Sequence, residues 1–288
     1  MDARTLLADP WLDTLLTHAL SEDIGTGDAS TAITVTGDQR AEARVSAREA
    51  GVVAGLVLLE PLVRKLDPAL EVVLAVDDGA RVAAGQRVAS LRGAAAPLLT
   101  VERTALNLLQ QLSGIASLTA RYVDRVAGTG CQVLDTRKTV PGHRKLAKYA
   151  VRCGGGSNHR LGLDDRIMLK DNHWAAGGHG IEELVARGRQ RYPDLAIEVE
   201  VDRLDQLDRV LPLGVEWVLL DNFAPEEAAR AVARRDAAGA ETRLEASGNV
   251  TLETIGAFAR AGVDAASVGR LTHSAPALDL GIDMEIVS

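Results

Sequence analysis

The second half of the chain repeats one pattern, in which a short apolar run ends on charged or polar residues and is followed by a loop and an amphipathic stretch. Apolar runs of this length predict buried strands, and apolar positions three and four residues apart predict helices. Because strands alternate with helices, we expect parallel strands with right-handed crossovers. About six such units predict an α/β fold built on an incomplete (β/α) barrel. The predicted strands cover residues 132–135, 167–170, 197–201, 217–221, 243–247 and 265–269.

Two of the intervening helices carry recognisable end signals. One stretch has Pro225 at its start, glutamates in its first turn and Gly239 as a stop, as is typical of the two ends of a helix. A later stretch has Thr251 where an N-terminal cap is expected and ends at Gly262. These signals support the alternation of strand and helix.

The first part of the chain has a different pattern. Up to about residue 99 it contains short apolar alternations separated by turns, with a helical stretch around residues 57–66, which predicts a small α/β domain. Residues 100–126 then show apolar positions at helical spacing. Ser113 and Gly114 interrupt this spacing, so we expect either two consecutive helices or one kinked helix.

Composition and charge exclude several classes of protein. The chain has 288 residues, 3% aromatic residues and a formal net charge of −8. Few aromatic rings argue against stacking platforms for single-stranded nucleic acid, and negative charge repels nucleic acid and anionic membranes. No apolar run approaches the roughly 20 residues of a membrane span, and the first residues do not resemble an export signal. We therefore expect a cytoplasmic protein, with Cys131 and Cys153 as packing residues.

The basic residues are concentrated in one segment. Residues 137–173 contain nine Arg and Lys against three acids, together with His143, His159, His173 and the triple glycine 154–156. A charge run is usually a solvated face, but the histidines and glycines in this one favour a binding site. If the chain bound nucleic acid, this basic segment is the one part whose charge would allow it.

The carboxyl ends of parallel strands meet at one edge, where barrel enzymes bind their ligands. The residues expected at this edge are mostly charged or small: Arg137, Lys138, Lys170, Asp171, Glu200, Asp202, Asp221, Asn222, Ser247, Gly248, Gly269 and Arg270. Its cations, with Arg160, suit a ligand that has several carboxylates or phosphates. Glu200 and Asp221 suit sugar hydroxyls and Mg²⁺, and the small residues that precede the predicted helices suit a phosphate.

One segment of the chain carries a long and specific motif. The run DTRKTVPGHRKLAKYAVRCGGGSNHRLGLDDRIMLKDNH at residues 135–173 resembles the signature of the quinolinate phosphoribosyltransferase family. The similarity continues in order through EVEV, LLDNF, LEASGN and GVDAASVGRLTHS, and upstream through EDIGTGDAST, REAGVVAG and TVERTALNLLQQLSGIA. The resemblance covers nearly the whole chain.

The resemblance implies a pentosyltransferase of de novo NAD synthesis. Quinolinate and 5-phosphoribosyl-1-pyrophosphate would give nicotinate mononucleotide, pyrophosphate and CO₂, with Mg²⁺ as cofactor. It also implies an N-terminal α/β open-sandwich domain over residues 1–112, joined by the tail 275–288, and a barrel domain over residues 113–274. A homodimer is implied, in which Arg103 completes the site of the neighbouring subunit.

The family's site residues are carried over by position in these motifs. The catalytic residues would be Lys138, Lys170, Glu200 and Asp221. Quinolinate would contact Arg103, Thr136, Arg137, Lys138, Thr139, His159, Arg160 and Lys170. Phosphoribosyl pyrophosphate would contact Lys138, Lys170, Glu200, Asp221, Ser247, Gly248, Asn249, Val268, Gly269 and Arg270, with Glu200 and Asp221 also holding the metal.

Two other interpretations stay open. A paralogous family associated with molybdenum transport shares the fold and parts of the signature, although the intact RKT, NHR and KDNH blocks favour quinolinate chemistry. The segment DDGARVAAGQRVASL is similar to the hairpin of lipoyl and biotinyl carrier domains, but no lysine stands at the attachment position. The residues left without an assigned role are His143, Lys145, Lys148, Arg152, Glu245 and His273.

Overall fold

The computed structural model of the chain describes residues 1–170, His173 and residues 180–287. The chain divides into two compact units. The N-terminal unit comprises Met1–Ala120, Pro141–Gly155 and Ser274–Ser288, and the barrel unit comprises Arg121–Val140 and Gly156–His273. No helix among the described residues is both long and apolar enough to cross a membrane.

The N-terminal unit is built on an antiparallel sheet. Its strands are β1 (Arg40–Ala47), β2 (Gly51–Val52), β3 (Glu71–Leu74), β4 (Arg81–Val82), β5 (Arg87–Ala94) and β12 (Leu280–Val287). The sheet has the order β12-β1-β5-β3, and β2 pairs with β4. Every second residue of β1 from Ala41 to Ala47 is buried, so one face of the sheet packs on the core.

The helices of this unit cover the remaining apolar residues. They are α1 (Ala3–Leu7), α2 (Pro10–Ile24), α3 (Ala29–Thr34), a 3₁₀ turn (Leu56–Leu58), α4 (Leu59–Val63), α5 (Ala95–Val126, assigned to this unit up to Ala120) and α6 (Arg144–Cys153). Helix α2 shows why the sequence folds this way. Asp9 caps it by accepting the N–H of Trp11, and Leu12, Leu16 and Leu20 bury one face. The helical stretch predicted around residues 57–66 is confirmed by the 3₁₀ turn and α4.

The sequence left open two consecutive helices or one kinked helix, and the structure has a single helix, α5, in this stretch. It is one helix of 32 residues that runs through Ser113 and Gly114. The Ser113 hydroxyl accepts the N–H of Ala54 at 3.0 Å, and a Cβ on Gly114 would lie 2.0 Å from the carbonyl oxygen of Pro276. Both residues are therefore small because other segments pack closely against the helix at this point.

The barrel unit contains a parallel sheet. Its strands are β6 (Gln132–Leu134), β7 (Ile167–Leu169), β8 (Ile197–Val201), β9 (Trp217–Asp221), β10 (Arg243–Ser247) and β11 (Ala265–Ser267), in the order β6-β11-β10-β9-β8-β7. Its helices are α7 (Ile181–Arg191), α8 (Leu204–Val210), a 3₁₀ turn (Leu211–Leu213), α9 (Pro225–Ala237), α10 (Ile255–Arg260) and α11 (Arg270–His273). The predicted incomplete barrel and its six strands are confirmed, because each predicted run contains one of these strands.

One predicted helix start is wrong. Helix α10 begins at Ile255, and its cap residue Thr254 makes no side-chain capping hydrogen bond. The Thr251 hydroxyl instead accepts the N–H groups of Glu253 and Thr254. Thr251 therefore stabilises the turn that precedes the helix.

A candidate active site at the carboxyl ends of the barrel strands

Lys170 and Glu200 meet at the carboxyl ends of β7 and β8. Leu169 lies opposite Val199 in the parallel register, so the residues that follow them, Lys170 and Glu200, lie side by side. The Nζ atom of Lys170 forms an ion pair with Oε2 of Glu200, and both side chains are partly buried. A predicted cation and a predicted carboxylate of the site are thus brought together.

The loop after β6 lies against the end of β11. The backbone carbonyl of Lys138 accepts a hydrogen bond from the Thr272 hydroxyl at 2.7 Å. The backbone N–H of Lys138 donates to the Thr136 hydroxyl at 3.0 Å. A Cβ on Gly269 would lie 3.2 Å from both Cδ of Lys138 and Nε2 of His273. The exposed Lys138 side chain is therefore adjacent to the predicted phosphate residue Gly269 and to His273.

Asp221 lies opposite Ser247 where β9 and β10 end. The N–H of Asn222 donates to the Ser247 carbonyl at 2.9 Å, and its amide nitrogen donates to Asp221 at 2.8 Å. Asn222, Gly248 and Asn249 all have positive φ angles. Gly248 and Asn249 begin the turn that follows β10 and precedes α10, which starts at Ile255, and Gly269 directly precedes α11.

The segment that contains His159 and Arg160 is anchored by Asp135. One Asp135 oxygen accepts the N–H of His159 at 2.9 Å, and the other accepts the amide of Asn158 at 2.6 Å. The Arg160 guanidinium contacts the Arg166 carbonyl at 3.4 Å. Burial and the charge of Arg137 lower the pKa of Arg160.

Beneath these residues lies a fully buried acidic pair. Glu198 and Glu245 have no exposed surface, and His159 is 8% exposed. The His159 Nε2 atom lies 3.1 Å from Oε2 of Glu198 and 3.3 Å from Oε2 of Glu245. Arg166 donates to Glu198 at 3.2 Å. Among the described residues, His159, Glu198 and Glu245 are the one set whose geometry resembles a metal-binding group.

The pKa values of this cluster are coupled through the same contacts. Burial alone would lower the pKa of His159, but the two carboxyls raise it above its usual value. Burial and the charge of Glu198 raise the pKa of Glu245. Burial would also raise the pKa of Glu198, but His159 and Arg166 lower it. These opposite shifts favour the negative charge on Glu198 over Glu245.

The other predicted residues occupy several environments. Val268 is buried, and Arg270 is exposed at the start of α11. Arg103 is exposed on α5 in the N-terminal unit. In α6 of the same unit, Lys145 pairs with Asp9, Lys148 is buried and Arg152 is exposed. Asp171 lies outside the described residues, and His143 is partly exposed.

Two residues of the cluster were missed by sequence reasoning. Glu198 belongs to the same IEVEV alternation as Glu200, and this period of two places both carboxyls on one face of the strand. That signal was sufficient to find Glu198. Arg166, by contrast, follows a loop and has no motif of its own that distinguishes it from the other arginines.

Comparisons with known families match almost the entire chain. Residues 28–113 match "Quinolinate phosphoribosyl transferase, N-terminal domain". Residues 115–283 match "Quinolinate phosphoribosyl transferase, C-terminal domain".

Individual relatives agree with these matches. The chain is 46% identical to a carboxylating nicotinate-nucleotide pyrophosphorylase of Mycobacterium leprae, over 93% of this chain and 95% of the relative. It is 42% identical to a probable enzyme of the same name in Bacillus subtilis, over 96% and 94% of the two chains. Among solved structures, NadC from Streptococcus pyogenes is similar with a TM-score of 0.91 and 39% identity, over 96% and 97% of the two chains.

Proposed function

The chain belongs to the quinolinate phosphoribosyltransferase family, and we propose that the barrel edge described above is where it joins quinolinate to a phosphoribosyl group. It is a pentosyltransferase that makes nicotinate mononucleotide with decarboxylation. The observation that carries the site assignment is the meeting of Lys170 and Glu200 on neighbouring strands. A cation for the acidic substrate and a carboxylate for the sugar then lie side by side.

The cationic side of the edge suits quinolinate, which has two adjacent carboxylates. The charge of Arg137 contributes to the lowered pKa of Arg160, so a doubly charged acid bound by both guanidiniums would relieve this repulsion. Lys138 and Lys170 supply further point charges. Thr136, Thr139 and His159 complete the proposed quinolinate residues.

The acidic and small residues suit phosphoribosyl pyrophosphate. Glu200 and Asp221 would accept the ribose hydroxyls. The turn from Ser247 to Asn249 and the segment from Val268 to Arg270 would hold the 5′-phosphate through backbone N–H groups and the Arg270 side chain. Lys138 and Lys170 would neutralise the departing pyrophosphate.

The reaction needs orientation and charge rather than a covalent enzyme nucleophile. The ring nitrogen of quinolinate forms a bond to C1 of the ribose as the bond from C1 to pyrophosphate breaks. The nitrogen then carries a positive charge, which stabilises the electron pair left when the adjacent carboxylate departs as CO₂. A proton from water then binds to the ring carbon that has lost the carboxylate. The residues contribute by positioning both substrates and by binding the pyrophosphate charge.

Glu200 and Asp221 also suit the proposed Mg²⁺ cofactor. Mg²⁺ prefers one or two carboxylates with water and substrate phosphates as its remaining ligands, and both carboxyls are partly exposed. The buried cluster around His159 suits it less, because a histidine and an adjacent guanidinium replace oxygen ligands there. When bound, Mg²⁺ supplies positive charge to the pyrophosphate. Activity should be lost with EDTA and restored by Mg²⁺.

The enzyme is proposed to be a cytoplasmic homodimer in which Arg103 completes the partner's site. Its exposed position on α5 leaves the guanidinium accessible to a second subunit. A complementation experiment tests this role. Arg103→Ala and Lys170→Ala chains should each be inactive alone and should recover activity when refolded together, because each mixed dimer then has one intact site. Absence of recovery despite dimer exchange would contradict a shared site.

The activity itself is tested by mixing the purified protein with quinolinate, phosphoribosyl pyrophosphate and Mg²⁺. Nicotinate mononucleotide and CO₂ should form together, and nicotinic acid in place of quinolinate should give no product. A folded protein that binds phosphoribosyl pyrophosphate but gives neither product would favour the paralogous family associated with molybdenum transport.

A further inference from the structure

The acidic pair inside the barrel is unusual for its position. The interior of such a barrel is normally filled by branched aliphatic side chains, and two buried carboxyls are costly unless their charge is compensated. Glu198 and Glu245 are nevertheless completely buried. They meet at Nε2 of His159, a residue of the proposed quinolinate site.

A guanidinium lies against two of the three residues of this cluster. The Arg166 Nη1 atom lies 3.2 Å from Oε2 of Glu198 and 3.5 Å from Nε2 of His159. Its guanidinium also stacks on Trp217, 5.3 Å from the ring centre. A divalent metal here would be repelled by this guanidinium, so the contacts favour an internal network over a metal site.

The ring of His159 links this network to the substrate edge. Its Nδ1 atom accepts the N–H of Arg160 at 2.7 Å, so the proton of the neutral ring lies on Nε2, facing the carboxyls. A second proton would have to bind Nδ1 and would break this hydrogen bond. The hydrogen bond therefore opposes the rise in the His159 pKa that the two carboxyls cause. Together with Asp135, which accepts the N–H of His159, the network fixes the backbone from which the Arg160 side chain extends.

We infer that Glu198 and Glu245 are positioning residues for quinolinate: through Nε2 of His159 they fix the ring whose Nδ1 atom orients Arg160. The inference rests on the proposed function. The two carboxyls have different tasks. Glu198 balances the charge of Arg166. The Glu245 oxygens accept no well-directed hydrogen bond among the described residues, but Oε2 of Glu245 lies 3.3 Å from Nε2 of His159 and confines the imidazole there.

Three substitutions separate these tasks. Glu198→Gln leaves Arg166 without its counter-charge, and we expect the KM for quinolinate to rise about tenfold or more while the KM for phosphoribosyl pyrophosphate stays within about twofold. Glu245→Gln retains a neutral polar group of the same shape, so both KM values should stay within about twofold. Glu245→Leu removes the polar contact and should raise the KM for quinolinate alone.

Asp264→Asn is the matched control. Asp264 accepts the N–H of Leu244 and pairs with Arg235, so its loss should destabilise the barrel without changing either KM. If the acidic pair had only a structural role, its substitutions would likewise lower the thermal stability and the active fraction and leave both KM values unchanged.

The measurement is steady-state kinetics of nicotinate mononucleotide formation for the wild type and all variants, with thermal unfolding in parallel. If Glu198→Gln does not fold, the two Glu245 variants decide, since both retain the pair of Glu198 and Arg166. Unchanged KM for quinolinate in both Glu198→Gln and Glu245→Leu overturns the positioning role while the proposed function stands. Absence of product from the wild type overturns the proposed function and this role with it.

Discussion

The Nζ atom of Lys170 is paired with the carboxylate of Glu200 at the ends of two adjacent parallel strands. The pairing has a functional consequence. Lys170 is proposed to bind acidic groups of both substrates and Glu200 to bind the ribose, so each side chain must exchange its partner when substrates bind. In the free enzyme the pair keeps both charges compensated, which stabilises two partly buried ionic groups.

Lys170→Ala should lower turnover by about 10²-fold or more, because it removes a cation that acts on charge developing in the transition state. It also leaves Glu200 without its counter-charge. The measurement is kcat for nicotinate mononucleotide formation, with circular dichroism to verify folding. Lys65→Ala is the control, since Lys65 pairs with Asp13 in the N-terminal unit and should retain full turnover. Wild-type turnover of Lys170→Ala would exclude the proposed role.

Gly248→Ala should weaken binding of phosphoribosyl pyrophosphate. A Cβ at this position would lie 2.1 Å from Oδ1 of Asn222, and the residue has a φ of +80°. The turn must therefore shift, and we expect the KM for phosphoribosyl pyrophosphate to rise about tenfold.

The control for this change is Gly239→Ala. Gly239 has a similar φ of +61°, but nothing lies within 4 Å of an added Cβ. This variant should lose about 1 kcal/mol of stability from backbone strain alone and keep both KM values. Equal KM values in the two variants would show that the turn at Gly248 takes no part in substrate binding.

Much of the fold follows from local sequence because strand runs, charged strand ends and helix stops repeat in a fixed order. The sequence did not decide between one helix and two at α5, for a different reason. Ser113 and Gly114 are small because Ala54 and Pro276 approach them, and such contacts between distant segments leave no mark in one sequence. Their side chains indicate an interruption when read locally, whereas tertiary packing determines that the helix continues.

The site could be predicted only as far as strand geometry determines it. Lys170 follows β7 and Glu200 is the last residue but one of β8, so the parallel register brings them together. The contact of Glu198 with Glu245 and His159 depends on side chains from two strands and a loop entering the barrel interior. Strand alternation indicates the face on which Glu198 lies, but its partners are separated from it by long stretches of chain.

Both cysteines should be slow to alkylate in the native protein. Burial is the main cause that raises the pKa of Cys131 and of Cys153 to about 12, and nearby Asp264 and Asp78 add to it. The thiolate is the reactive form, and at pH 8 its fraction falls about tenfold for each unit by which the pKa rises. Reaction with iodoacetamide, followed by mass spectrometry, should therefore be about 10³-fold slower than in urea. Rapid labelling of either native thiol at pH 8 would contradict this.

Tyr149→Phe should destabilise the N-terminal unit without affecting the site residues proposed in the barrel. The Tyr149 hydroxyl donates to Oδ2 of Asp78 at 2.6 Å, and Oδ1 of Asp78 accepts the N–H of Leu56 at 2.8 Å. Removing a hydrogen bond to a charged group in a buried environment costs about 2 kcal/mol, which urea unfolding can measure. Tyr192→Phe is the control, because Tyr192 is 48% exposed and the loss of its hydroxyl should change stability by less than about 0.5 kcal/mol. Equal unfolding midpoints for the two variants would show that the Asp78 contact adds no stability beyond that of a surface tyrosine.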